Sequence, residues 1–312
     1  MQQQFIYTKA IIDELKKHLA SESFKYVYYP KFIFLCGKGV DPRTPEKYYE
    51  SNRGIIEQYI LAKAPNTHIV LSERLWENGF LSEIDLLTFE EFLAEISDCI
   101  IIFVESMGSS CELGAFTFQE TLFMDKLILI LNQKYRNDDS FINHGPVEKA
   151  KNGKVPVIYA DLEGALLSSR ELIHETDTLL KSMQQKCALN KRQVNPKTTS
   201  NISLGSFIVE ILELIRLLQP VSKEDLVYVY KQIKDLSSFE FVKRDGKQFS
   251  SRIHLSYLLK LLVKVNVIKQ ENNLFALGNL NNSSNLLFTF SPASLSRNRC
   301  RILSRRYKYK VG

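Results

Sequence analysis

The stretch best equipped for chemistry is Glu105-Ser106-Met107-Gly108-Ser109-Ser110-Cys111-Glu112-Leu113-Gly114. It follows Cys99 to Val104, the most strand-like run in the chain, and leads into helical spacing from Leu113 to Phe123. A loop at the carboxyl end of a buried parallel strand opens a crevice, and the helix after it offers free N–H groups to an anion. Gly108 lets the backbone approach a phosphate or sugar, while Ser109 and Ser110 add hydroxyls and cap the helix. Glu112 is expected in the first helical turn, where the helix dipole favours an ionised carboxylate. A carboxylate beside a sugar suits N-glycosidic cleavage, because it can stabilise or attack the oxocarbenium-like centre at C1′. An acid that merely begins a helix gives the same local pattern.

Other elements must hold that loop in place. Phe32 to Cys36 is a short apolar run ending in Gly37-Lys38-Gly39, the signature of a buried strand feeding a tight loop. Residues 45–63 have helical spacing with a proline at the first turn. A strand is predicted over His68 to Leu71, and a helix over Thr88 to Ser97 with Thr88 and Glu91 in capping-box spacing. Leu127 to Leu131 and Val155 to Tyr159 read as further strands, and Leu166 to Met183 as a helix. Strands that are apolar on both faces and alternate with helices define an α/β class: an open parallel sheet flanked by helices.

The second half is different in kind. Residues 1–186 carry 20 Lys/Arg against 27 Asp/Glu, whereas residues 187–312 carry 21 against 8, so the halves suit different partners. Residues 188–203 are mostly polar and read as a linker between a first domain, 1–187, and a second, 204–290. Helices over Gly205 to Leu218, Ser222 to Lys234 and Ser250 to Val263 precede a hairpin over Val267 to Leu277, turned at Asn272-Asn273. Three helices and a hairpin make a mainly helical, winged-helix-like order, with the third helix presented to the major groove. Arg252, His254, Ser256, Lys260 and Lys264 fall on that helix. Residues 291–312 form a basic tail in which Arg297, Arg299, Arg305 and Arg306 alternate with Tyr307 and Tyr309, a pattern suited to phosphates and unpaired bases.

The segments FIFLCGKGV, IIIFVESMGSSCELGAF and SFINHGPV, in that order, resemble the nucleoside deoxyribosyltransferase-like effectors encoded beside retron reverse transcriptases. The likeness covers roughly the first 160 residues. It implies a nucleoside deoxyribosyltransferase-like sheet domain in which Glu112 is catalytic, Gly108 and Ser109 hold ribose or phosphate, and Gly37 and Gly39 border the pocket. It also implies an N-glycosidase toxin in antiphage defence, acting on a nucleotide, with NAD a possible substrate rather than a cofactor. Its partners would be the reverse transcriptase and multicopy single-stranded DNA (msDNA), which hold it in check. The family fold commonly completes its sites across subunits, so a homo-oligomer is expected. Ser106 stands where true deoxyribosyltransferases have an aspartate, which favours hydrolysis over base exchange.

Around this centre, Glu105 is a second catalytic candidate, as acid for the leaving base, or else a helix cap. Asp41, Ser106 and Asn143 are candidates for substrate contacts, with Asp98, Tyr48, Tyr49, Glu73, Trp76 and His144 weaker, each having a packing or turn explanation. The five cysteines are scattered and never in CxxC spacing, so neither a disulfide framework nor a metal site is expected. The first 20 residues lack signal-peptide order, and no apolar run spans a membrane, which together predict a cytoplasmic protein. The rival reading is a nucleotide-sensing, winged-helix DNA-binding regulator without catalysis.

Overall fold

The computed structural model describes residues 7–20, 31–39, 44–64, 67–76, 85–118, 123–163, 170–189, 204–235 and 255–278. By its internal contacts the chain divides into two units, Lys31–Lys191 and a second formed by Met1–Pro30 with Arg192–Gly312.

In the first unit, β1 (Lys31–Cys36) is followed by a 3-10 turn (Pro45–Glu50), α2 (Asn52–Lys63), β2 (Thr67–Val70), α3 (Ser72–Trp76) and α4 (Leu86–Ile96). Then come β3 (Cys99–Val104), α5 (Met107–Phe118), β4 (Leu127–Asn132), a π-helical turn (Asn143–Val147), α6 (Glu148–Asn152), β5 (Val157–Ala160) and α7 (Arg170–Leu189). The strands pair in parallel in the order β2-β1-β3-β4-β5. The chain moves outward from β1 to β2 and then returns to the other side of β1. Loops after β1 and β3 therefore diverge, leaving the crevice where open parallel sheets receive ligands.

Both faces of the sheet are covered, which is why its central strands are apolar at every position. Ile33, Leu35, Ile101, Phe103, Ile128 and Ile130 pack with Ile56 and Ile60 of α2 and with Leu179 and Met183 of α7. Phe34 meets Phe116 of α5 edge-on at 6.1 Å, and Phe116 meets Phe123 at 5.4 Å, on the opposite face.

The sequence reading located these strands and misplaced two helix starts. Helix α4 begins at Leu86, because Asp85 accepts a hydrogen bond from the Thr88 N–H at 2.8 Å and so takes the cap role assigned to Thr88. Helix α5 begins at Met107, with Ser106 as its cap: the Ser106 hydroxyl accepts from the Ser109 N–H at 3.2 Å, and the Ser109 hydroxyl accepts from the Ser106 N–H at 3.0 Å. That reciprocal box moves Glu112 from the expected first turn into the second.

In the second unit, α1 (Lys9–Ala20) packs against α9 (Lys223–Lys234), and Lys16 bonds Asp235 at 2.8 Å. The sequence reading had grouped this first helix with the sheet. Between them in sequence stand α8 (Leu204–Leu218) and β6 (Val221–Ser222), and after them α10 (Leu255–Lys264), β7 (Ile268–Glu271) and β8 (Leu274–Leu277). Strands β6, β8 and β7 form a small antiparallel sheet in that order. Asn272 and Asn273 take φ of 48° and 62°, the two-residue left-handed turn expected for this hairpin. Ser222 caps α9, with Glu224 and Asp225 in its first turn, as its sequence indicates. Among the described residues no helix is long and apolar enough to cross a membrane.

Candidate active site

The carboxyl ends of β1, β2 and β3 bring together groups from four helices. Arg53 comes from the start of α2, Ser72 and Glu73 from α3, Glu90 from α4 and Glu112 from α5. Arg53 is 2% exposed and its guanidinium bonds the Glu73 carboxylate. Its side chain runs past Gly37, where a Cβ would sit 2.9 Å from the Arg53 Cδ and 3.1 Å from the Phe103 Cβ. Gly37, expected to border a sugar or phosphate, thus also supplies the gap through which the arginine reaches the carboxyl groups.

Glu90 and Glu112 form a hydrogen-bonded carboxyl pair. Burial, then the charge of Glu90, push the Glu112 carboxyl up to about 8, with Glu73 and the bond to Glu90 adding to the rise and Arg53 opposing it. Burial also pushes Glu90 up, while hydrogen bonds with Ser72 and Glu112 pull it part of the way back. Burial of two neighbouring acids thus opposes ionising both at once, and the pair favours holding a proton. The expectation of an ionised Glu112 is reversed: the second turn of α5 lies beyond the helix-terminal charge, and burial beside another acid dominates. The Glu112 Oε2 and the Arg53 Nε are both buried without a hydrogen-bond partner among the described residues. Cys36, at the end of β1, is buried beside the same acids, and its thiol is pushed well up, chiefly by burial.

Glu105 does a different job. Its Oε1 accepts from the Lys38 N–H at 3.2 Å, and its Oε2 accepts from the Asn52 amide at 2.9 Å. The same amide donates to the Leu162 carbonyl at 3.0 Å, so one side chain ties together the segments after β1, β3 and β5. With both oxygens held, Glu105 positions the crevice. Ser106 and Ser109 are likewise spent on the α5 cap, with Ser109 fully buried. Among the described residues a Cβ at Gly39 would meet nothing within 4 Å, and one at Gly108 only the Ser106 Oγ at 3.9 Å.

The weaker candidates divide clearly. Asp98 is buried at the opposite, amino end of β3, and its carboxylate accepts from the Phe32 N–H at 3.0 Å, a structural role. Tyr48 donates to Glu57 at 2.5 Å and lies under the Arg74 guanidinium at 4.6 Å, packed in this wall. Asn143 donates to the carbonyls of Tyr135 and Asp138, both at 2.8 Å, shaping its own turn. His144 pairs with Asp139 at 2.9 Å on the surface. In the second unit, Lys260 and Lys264 are exposed on α10, whereas Ser256 accepts from Lys223 at 3.2 Å. Asp41, Arg252, His254, Arg297, Arg299, Arg305, Arg306 and the side chain of Trp76 lie outside the described residues.

Sequence reasoning missed Arg53, Asn52 and Glu90. Glu90 did carry a signal in the helix read from Thr88: it shares the buried side with Phe89, Leu93 and Ala94, an acid where apolar residues belong. Among the described residues no group of three or more His, Cys, Asp or Glu is arranged to hold a metal ion.

A carboxyl pair and an arginine in a sheet-end crevice are groups able to move a proton or to stabilise positive charge. Residues 49–270 match the STM3845 retron effector protein family, and the chain belongs to that family. It is 36% identical over 123 residues to the Escherichia coli "Retron Ec73 putative ribosyltransferase/DNA-binding protein", covering 38% of this chain and 37% of that one. It is 41% identical over 117 residues to the E. coli "Retron Ec86 putative ribosyltransferase/DNA-binding protein", covering 37% and 36%. Each match thus spans little more than a third of the relative's length.

Proposed function

We propose that this retron effector is a glycosyl-transfer enzyme that breaks the N-glycosidic bond of a nucleotide, NAD being one candidate, with Glu112 facing C1′. The Glu90–Glu112 pair in the sheet-end crevice carries this reading, supported by the names of the two relatives. As the C1′–N bond lengthens, its electron pair leaves with the base and positive charge grows at C1′. That charge lowers the proton affinity of Glu112 and moves the shared proton toward Glu90. Glu112 then meets the cation as a carboxylate, and water or another acceptor hydroxyl completes the exchange at C1′ while its proton passes to the departing base or to solvent. Glu105 and Ser106 hold the crevice walls during this change.

The second unit, with its helix–strand–helix–helix–hairpin order, is read as a winged-helix-like domain that binds nucleic acid through Lys260, Lys264 and the basic tail. The msDNA and the reverse transcriptase are the partners proposed to restrain a toxin, in the cytoplasm and as a homo-oligomer. The test is mass spectrometry of small nucleotides after incubating the protein, or Glu112→Gln, with NAD and a nucleotide pool. Release of nicotinamide or a free base by the parent, reduced about 10²–10⁴-fold in the variant, is the expected result. No product from either protein, with and without nucleic acid, would favour a ligand-sensing regulator instead.

A further inference from the structure

A second polar cleft lies at the free edge of the sheet, away from the Glu112 crevice. It is about 480 Å³ in volume and is lined by Arg136, Asn137, Lys151, Val155, Val157 and Tyr159. Arg136 follows β4, Lys151 is on α6, and Tyr159 is on the edge strand β5. The Arg136 guanidinium lies 4.8 Å from the centre of the Tyr159 ring, and the Lys151 ammonium lies 5.7 Å from it.

Two cations sharing one ring repel each other unless an anion joins them, and no carboxylate lines the cleft. In the same unit Arg53, Arg74 and Lys134 are each ion-paired, with Glu73, Glu57 and Glu163 in turn. Arg136 and Lys151 form no such ion pair among the described residues. The nearby Asp139 is engaged by His144, and Glu163 by Lys134. Lys154, exposed on the turn before β5, adds a further positive charge. A guanidinium, an ammonium and an aromatic ring around an open, acid-free cleft are the parts that hold phosphates and a neighbouring base.

We propose that this cleft binds the phosphates of a nucleic-acid strand, giving the sheet unit a nucleic-acid contact of its own. The site needs no catalytic activity to be present. A strand bound here would touch the unit that carries the Glu112 crevice, in addition to any contact made by the basic C-terminal half.

The test uses the full chain, Arg136→Glu/Lys151→Glu and Tyr159→Leu, with a labelled single-stranded oligothymidylate read by fluorescence anisotropy over a salt series. Loss of two phosphate contacts should make the salt slope shallower by about 1.4, at about 0.7 per phosphate on a single strand. Tyr159→Leu should weaken binding with little change of slope, since it removes stacking and leaves the charges. Thermal melting of each variant checks that it is folded. Unchanged affinity and slope in the charge-reversed protein would overturn the proposal. Displacement of the oligonucleotide by inorganic phosphate in the parent, with no change of slope in the variant, would also overturn it, in favour of a small free anion.

Discussion

Both units bury charge, and they do so in opposite ways. In the second unit, Glu210 of α8 is 1% exposed and receives hydrogen bonds from Lys234 at 2.6 Å and Tyr230 at 2.7 Å, both from α9. Glu213 pairs with Arg216 one turn along α8, again buried. Each of these acids meets its own base, and the Glu210 contacts tie α8 to α9. At the sheet ends of the first unit, Glu73, Glu90 and Glu112 converge with Arg53 as their shared base. A matched buried pair holds a fold together, whereas an unmatched cluster of acids strains it and awaits something positive. The developing cation of a glycosyl transfer is such a group.

The comparison can be broken most forcefully at Lys234. Lys234→Met strands Glu210 in the core and should cost about 3 kcal/mol or more in denaturant unfolding, the range for removing one partner of a buried pair. Adding Glu210→Met should restore most of that loss. A single variant as stable as the parent would show that the pair is not structural.

The acid cluster should reveal itself through pH. The folded Glu112 titrates near 8 and the unfolded residue near its ordinary 4.5, so between those values the folded protein holds one more proton. Stability must therefore fall as pH rises from about 4.5 to about 8, and then level. Glu112→Gln should flatten this slope in melting experiments across that range. Glu90→Gln should flatten it in part and raise the melting temperature at pH 8, because it removes the neighbouring charge. An identical slope in all three proteins would refute the shared proton.

The smallest effect is expected at the loop that both readings need. Ser106→Ala removes the reciprocal cap of α5 and should cost about 1 kcal/mol in denaturant unfolding. A loss below a few tenths would show that Ser109 alone fixes the loop.

Much of the sheet was legible because its strands are buried on both faces: Phe32 to Cys36 and Cys99 to Val104 are continuous apolar runs between turn residues. The Asn272-Asn273 turn and the Ser222 cap were legible because their chemistry is local. The site was legible only in part. Glu112 stood out beside its glycine and serines, yet its protonation depends on Glu90, Glu73 and Arg53, which come from three other segments. Arg53 is distant in sequence, and its passage over Gly37 exists only once α2 is docked. Glu90 was legible as an acid on an apolar helix face, but the groups it meets come from other segments.

The placement of α1 bears on the order in which the molecule is made. Its apolar side, with Ile11, Leu15 and Leu19 buried, belongs to a unit completed by α9, more than two hundred residues later in the chain. The sheet unit ends at Lys191, and α9 ends 43 residues later, at Lys234. At ordinary synthesis rates those residues take about 2–9 s. A ribosome making this protein thus carries a sheet unit able to close while the helix that precedes it still waits for its partner. Stalled nascent chains ending between the two units would show this as a protease-resistant sheet beside a cleavable first helix.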